Sequence, residues 1–572
     1  MGFLWLWGLF RAIVTEFCVG RLIEFKWVKG SCTMPPLCMY DFLKALMANQ
    51  FYPLLARLGV CLGVACAVPV WAQVDADVTQ TERSTSVIET AQPTVSTQVS
   101  KEDFLNALAQ AVPSSNASFY VQAVDEKTPL LAINAQRAQN PASVVKLVTS
   151  FAALQKFGAS YQWHTRLLSQ STPDSNGALN SPLLLKGAGD PQLVIERLDD
   201  LVGQLKNRGV RQLNAPLWVD RSAFSPSDQH PGDFDGEPSL PYNALPDAAL
   251  LNFHALSFQF EPATAKVRMV PWLDGFNLNN RVRFVEGDCP ANGWKSTVNL
   301  SVMGYSAVVG GVYYSGCGEQ QWHVHAYQLT ANDYARGVLG ALFKGYANLD
   351  VASCAVNRIW DKVLQRWHDC FAPTIVWTQN QAQDAADVDT TANWQTLASV
   401  ASPPLSVMLK DMNFYSNNVM ARQIYLDLSQ QEDRPASLEQ SAQEVHRILQ
   451  SVGLSDRYLV MGNGSGLSRA TRVSAQELGN MLVVASQNPA FYASLPRIGL
   501  EGTVQKRLTN TDMVGRGRMK TGTLNDVRAI AGYIDGRSGK RYAVVSIFDH
   551  PNAQTAASKR VHDLFMQWVG EQ

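Results

Sequence analysis

The chain is poor in charge. Asp, Glu, Lys and Arg make up only 17% of its 572 residues, against a usual ~25%. The 48 basic and 49 acidic residues nearly cancel, leaving a net charge of -1. Nucleic-acid binding rests on a basic domain or stripe that neutralises phosphates, so this composition argues for no nucleic acid among the partners. No apolar run reaches the ~20 residues of a membrane-spanning helix. The sequence thus allows at most peripheral membrane association. There is no C-x-x-C, the usual start of a structural zinc site, and no histidine spacing that builds a triad. Neither a metal nor an organic cofactor is implied. A G-x-S-x-G elbow is also missing: Gly464-Ser465-Gly466 is preceded by Asn463 and reads as a tight glycine-rich turn.

Cysteine is nearly confined to the N-terminus. Five of the nine (18, 32, 38, 61, 66) precede residue 67. Residues 58–70 (LGVCLGVACAVPV) follow Arg57 and end at Trp71-Ala72, with Val70 and Ala72 small. This pattern predicts a signal peptide over 47–72, cleaved after Ala72, and therefore a periplasmic protein. Met47 then serves as the start, and residues 1–46 are a mis-annotated upstream segment. Residues 73–100 hold ten Ser or Thr and neither aromatics nor Gly, which predicts a disordered linker. Four cysteines remain: 289, 317, 354 and 370. An even number in an oxidising compartment predicts disulfides. Neighbours in sequence suggest Cys289–Cys317 and Cys354–Cys370, one of three connectivities.

Beyond the linker, 118–124 and 130–134 read as two strands around a Glu-Lys-Thr-Pro turn. Asn140 and Pro141 then open an amphipathic helix near Ala142. Residues 166–390 change texture, with short alternating strands and many turns, and are read as a mostly β insertion. Helices return after about Ser399. Three strands come next (RGRMKTGTL, RAIAGYID, RYAVVSIFDH), then a helix over 555–569. The expected division is a first catalytic segment over 101–165, the insert over 166–390, and a second catalytic segment over 391–572.

Three motifs carry chemistry. Ser143-Val-Val-Lys146 is S-x-x-K at a helix start; i and i+3 share a helical face, so the lysine amine reaches the serine hydroxyl. A serine needs a base to become a nucleophile, and lysine serves once burial and nearby cations lower its proton affinity. Ser416-Asn417-Asn418 lies between helices; Ser416 is placed to relay protons between Lys146 and a leaving group, and Asn418 to hold a substrate amide. Lys520-Thr521-Gly522-Thr523 falls on a strand. There Lys520 and Thr521 suit a carboxylate, Gly522 leaves the strand open to a ligand backbone, and the Thr523 N–H suits an oxyanion. A second S-x-N, Ser486-Gln487-Asn488, precedes Pro489 and reads as an ordinary helix end.

The order S-x-x-K, S-x-N, K-T-G is the motif set of penicillin-binding proteins and serine β-lactamases. Ser143 and Ser416 lie 273 residues apart in number, with the insert between. With GAGDPQL, LPYNALPDAALLNFHAL, GNGSGLSR and EGTVQKRL, the chain resembles the class C low-molecular-mass penicillin-binding proteins, the D-alanyl-D-alanine carboxypeptidase/endopeptidase family, over about 102–570. The resemblance implies an α+β fold: a serine β-lactamase/transpeptidase-like catalytic domain, an antiparallel sheet with helices on both faces, split by one or two inserted domains. It implies peptidoglycan peptides and β-lactams as partners, Ser143 as the acylated serine and Lys146 as its base. The family usually has Asp where this chain has Asn463, which puts a local turn interaction in question. A serine β-lactamase and a non-catalytic peptidoglycan-binding or β-lactam-sensing module are the alternatives. The oligomeric state is left open.

Overall fold

The computed structural model describes residues 99–345, 375–385, 393–431 and 434–572, together with the backbone of the short strands 27–28, 31–32, 358–361 and 366–369. The expected signal peptide, nearly all of the linker, and Cys354 and Cys370 lie outside the described residues. The chain divides into two units between Gln92 and Pro93, and the second unit, Pro93–Gln572, carries the motifs.

The defining element of that unit is a five-stranded antiparallel sheet drawn from both of its ends. The order is Gly517–Leu524, Val527–Asp535, Arg541–Asp549, Ala117–Ala123, Leu131–Ile133. These are strands because β-branched and aromatic residues recur at a period of two and the turns are polar. Both faces are covered. Phe119, Val121, Ile530, Val544 and Phe548 meet Phe104 of the helix Lys101–Ala111 and Phe565 and Trp568 of the helix Ala556–Gly570. Tyr120, Ala529, Ala531, Val545 and Ile547 face Leu478 and Met481 of the helix Ala475–Ala485 and the core around the helix Lys146–Phe157. The antiparallel sheet between helical layers agrees with the expected fold class.

The stretch expected as an insert carries a hydrophobic cluster of its own, from Leu167 to Val400. A five-stranded sheet runs in the order Ala382–Asp384, Leu217–Asp220, Leu183–Lys186, His164–Ser169, Gln395–Ala401. Its last strand lies within the stretch expected as the second catalytic segment. The insert is also less purely β than its sequence texture suggests. Ile195–Asn207 and Ala331–Phe343 are helices of 13 residues each. The first buries Ile195, Leu198, Leu201, Val202 and Leu205, a 3.6-residue stripe; the second is capped by Thr330, whose side chain accepts from Asp333 N. Strand-like neighbours hide both patterns.

Cys289 and Cys317 form a disulfide, as sequence proximity suggests. It closes a loop across a sequence separation of 28 residues, which corresponds to about 3.5 kcal/mol of loop-closure entropy. Replacing both cysteines by serine should lower the stability of the insert by about that much, read as an earlier denaturant transition. An unchanged transition would show that the bridge is energetically silent.

Candidate active site

Each motif sits where two elements meet. Asn140 is buried, and its Oδ1 accepts from Ala142 N at 2.9 Å. Ala142 adopts φ +47°, so the chain turns sharply before a 3-10 turn, Ala142–Val145, that runs into the helix Lys146–Phe157. Ser143 is half-buried at that entry. Lys146 is fully buried, and its Nζ lies 2.9 Å from Ser143 Oγ and 2.6 Å from Asn418 Oδ1. It also donates to the Ser465 carbonyl. No described carboxylate pairs with it. Burial drives its proton affinity well below that of a free lysine, and the charges of Lys520 and Arg422 add to the effect.

Ser416 links the helices Leu405–Phe414 and Asn418–Asp427 in a left-handed conformation, φ +55°, which is strained for a non-glycine residue. The Asn417 side chain caps the second helix by accepting from Met420 N at 3.0 Å. The structure brings Ser416 onto Lys520 rather than Lys146: Lys520 Nζ lies 2.8 Å from Ser416 Oγ and also donates to Thr521 O at 2.8 Å. Lys520 is buried too, which pulls it down to about 7. Thr521 Oγ1 donates to Thr503 Oγ1 at 2.9 Å. Two serine–lysine couples thus lie close enough for the charge of Lys520 to act on Lys146.

The strand Gly517–Leu524 is an edge of the sheet, with its first half bonded to the segment 496–498. Met519 N donates outward to Pro496 O at 2.9 Å, so the two-residue period turns the N–H groups of Thr521 and Thr523 to the same side. Thr523 is exposed there. Gly522 differs from its sequence reading. A Cβ on it would lie 2.5 Å from Pro141 O and 3.0 Å from Val144 N. The missing side chain admits the turn that carries Ser143, not a ligand backbone.

Two further features reach the site without having been read as part of it. One is the turn at 462–467, which is the tight glycine-rich turn expected there. Asn463 Oδ1 accepts from Ser465 N at 3.2 Å and Ser465 Oγ at 2.9 Å, while its Nδ2 donates to Leu467 O at 2.8 Å. The local turn interaction is therefore present with asparagine. Gly466, at φ +93°, passes so near Ala142 O and Ser143 N that a Cβ would meet them at 2.3 and 2.7 Å. The need for positive φ was the available signal. The other is a loop of the insert: Phe234 packs on Ala142, Leu524 and Val527 beneath the Arg469 guanidinium, which lies 5.0 Å from its ring. Nothing in the loop's sequence signals that position. The second S-x-N stays apart, with Asn488 capping the helix Pro489–Ala493.

The sequence profile of the D-Ala-D-Ala carboxypeptidase 3 (S13) family matches residues 102–312 and 380–572, well over half of the chain. The chain belongs to that S13 family. Its members are serine-type D-Ala-D-Ala carboxypeptidases, and this chain is such a hydrolase. It is similar to the D-alanyl-D-alanine carboxypeptidase DacB of Haemophilus influenzae, 25% identical over 457 residues, which span 77% of this chain and 87% of the relative. It is 26% identical to the D-alanyl-D-alanine carboxypeptidase of Actinomadura sp. strain R39 over 447 residues, 76% of this chain and 78% of that one. The crystal structure of penicillin binding protein 4 from Haemophilus influenzae shares the fold, with a TM-score of 0.59 at 22% identity, covering 81% of this chain and 97% of that one. The same protein has been crystallised with a novel β-lactam.

Gly522 gives the S13 arrangement a sharp test. Gly522→Ala forces a methyl against two backbone atoms, at an overpacking cost of about 1–3 kcal/mol. The displaced Ser143 turn should slow hydrolysis of a D-alanyl-D-alanine peptide about 100-fold. Steady-state kinetics on the folded variant would contradict this packing if the rate were unchanged.

Proposed function

We propose that this enzyme cleaves the D-alanyl-D-alanine end of peptidoglycan peptides, as carboxypeptidase, endopeptidase or both, through an acyl-enzyme on Ser143. One observation carries the reading: the set of partners around Lys146 Nζ. Asn418 Oδ1 and the Ser465 carbonyl are acceptors only. They take the two hydrogens of a neutral amine and leave its lone pair directed at Ser143 Oγ, 2.9 Å away.

In the proposed cycle Ser143 Oγ attacks the penultimate D-Ala carbonyl and Lys146 takes its proton. The N–H groups of Ser143 and Thr523 hold the oxyanion. Lys146, now protonated, returns that proton by way of the Ser416 hydroxyl to the departing amine, D-Ala leaves, and Lys146 is neutral again. Asn418 keeps its Nδ2 for the substrate amide, since its Oδ1 is committed to Lys146. Water then attacks the acyl ester, with Lys146 again as base, and frees the peptide. Lys520 is a buried cation without an anion; with Thr521, and with Gly522 setting the strand against the serine turn, it binds the terminal carboxylate. β-Lactams acylate the same serine, a reading supported by the β-lactam complex of the Haemophilus influenzae protein. The enzyme is exported to the periplasm by the signal peptide at 47–72. Its catalytic domain is built from 101–165 and 391–572, less residues 164–165 and the strand Gln395–Ala401, which belong to the sheet of the insert.

Intact-mass spectrometry with peptide mapping after benzylpenicillin treatment should show one adduct, on Ser143, lost in both Ser143→Ala and Lys146→Ala. Labelling that persists in Ser143→Ala refutes the assignment. Hydrolysed drug without adduct would indicate a β-lactamase, and intact drug without adduct a binding module or an enzyme insensitive to that drug.

The second lysine predicts a pH limb. Lys520 is cationic below about 7 and neutral above it in the free enzyme, so kcat/KM for carboxylate-bearing peptides should fall as pH rises through that value. The fall should appear in kcat/KM more than in kcat, because a bound carboxylate stabilises the cation. A D-alanyl ester without a carboxylate should lack this limb, and an identical limb would remove Lys520 from carboxylate recognition.

A further inference from the structure

A third cation stands behind the two lysines. Arg422 is 5% exposed on the helix Asn418–Asp427, one turn after Asn418 and on the same face. Its Nη1 donates to Ala244 O of the insert at 3.2 Å, and its Nε has no partner. Arginine rarely lies so deep unless paired, yet no described carboxylate forms an ion pair with it. The acid that faces it, Asp235, attracts it through space without forming a salt bridge: its carboxylate accepts from Tyr242 Oη at 2.8 Å, Asn243 Nδ2 at 2.8 Å and Glu237 N at 3.0 Å, and its charge offsets part of the burial cost of Arg422. The other titratable groups facing Arg422 are His325 on the insert strand Gln320–His325, itself buried and disfavoured as a cation, and Lys146. Neither supplies negative charge.

An unpaired buried guanidinium costs stability and makes no contact with the reacting atoms. It does lie where its field reaches the base. We infer that Arg422 is a positioning residue for acylation: anchored by the Ala244 carbonyl of the insert, one helical turn from Asn418, its charge holds Lys146 in the neutral form that accepts the serine proton. The insert thereby acts on the chemistry without touching substrate at this point. The mechanism is electrostatic. A fixed like charge in a water-poor interior disfavours a second cation nearby, and the direction of the Lys146 shift, to which Arg422 contributes after burial and Lys520, agrees.

This inference rests on Lys146 being the base, so the test separates the two. The observable is the pH profile of kcat/KM for a chromogenic D-alanyl ester without a carboxylate, which takes Lys520 out of the profile. In Arg422→Met, which keeps the stem and loses the charge, the acidic limb should move up by about one pH unit, with the high-pH plateau within a few-fold of the parent. Arg422→Lys should restore the parental limb. If Arg422→Met does not fold, Arg422→Gln, which keeps a donor for Ala244 O, is judged by the same criterion. A purely structural role would lower the plateau and the melting temperature and leave the limb in place; that result overturns the inference. Lys146→Ala is the control. Acylation that survives in Lys146→Ala defeats the base assignment and this inference together. A dead Lys146→Ala beside an unmoved limb in Arg422→Met defeats this inference alone.

Discussion

The site depends on a lysine kept from water without an anion. Lys146 Nζ has three oxygen neighbours and no carboxylate. Most buried lysines find a counterion because an isolated ammonium in a protein interior is costly. Here that cost lowers the proton affinity of the amine, and the charges of Lys520 and Arg422 lower it further. The surroundings come from separate parts of the chain. The helix start supplies the serine, the helix after Ser416 supplies Asn418, and a turn 319 residues further along supplies a carbonyl. A charged partner at any of these positions would return the lysine to its ordinary role as a cation.

The second lysine shows how similar surroundings can give a different task. Lys520 is as deeply buried, but it sits on an edge strand, with Ser416 Oγ and Thr521 O beside it. Burial brings it to about 7, within reach of an incoming carboxylate. Burial lowers the proton affinity of both amines, and at Lys146 the neighbouring cations Lys520 and Arg422 add to it.

Much of this was legible in the sequence because it depends on side-chain identity at short spacing. S-x-x-K needs only helical periodicity, and K-T-G needs only a strand. The sheet was legible in its alternation, and so were two of its helical covers, Lys146–Phe157 and Ala556–Gly570; the covers Lys101–Ala111 and Ala475–Ala485 were not read. The rest depends on backbone atoms brought from far away. Ser465 acts through its carbonyl, so its side chain carries no signal; only the flanking glycines hinted at an unusual path. Gly522 looked like an opening for ligand because a glycine shows a missing Cβ without saying what fills the space. Phe234 reaches the site from an insert whose register with the catalytic domain no local pattern encodes. The helices at 195–207 and 331–343 had the right periodicity, but short strands surround them.

The catalytic sheet takes its inner strand from Ala117–Ala123 and its edge from Gly517–Leu524. A ribosome makes the chain from the N-terminus, so the serine helix exists long before the strand that backs it. Until residues up to Asp549 have emerged, Lys520 is an ordinary solvated cation, Gly522 is not behind Ser143, and the central sheet lacks three of its five strands. The insert closes its sheets from the contiguous stretch between His164 and Ala401 and does not have to wait. The assembled site is therefore a property of the finished chain: a truncated or still-growing product carries Ser143 without the strand and lysine that surround it in the complete fold.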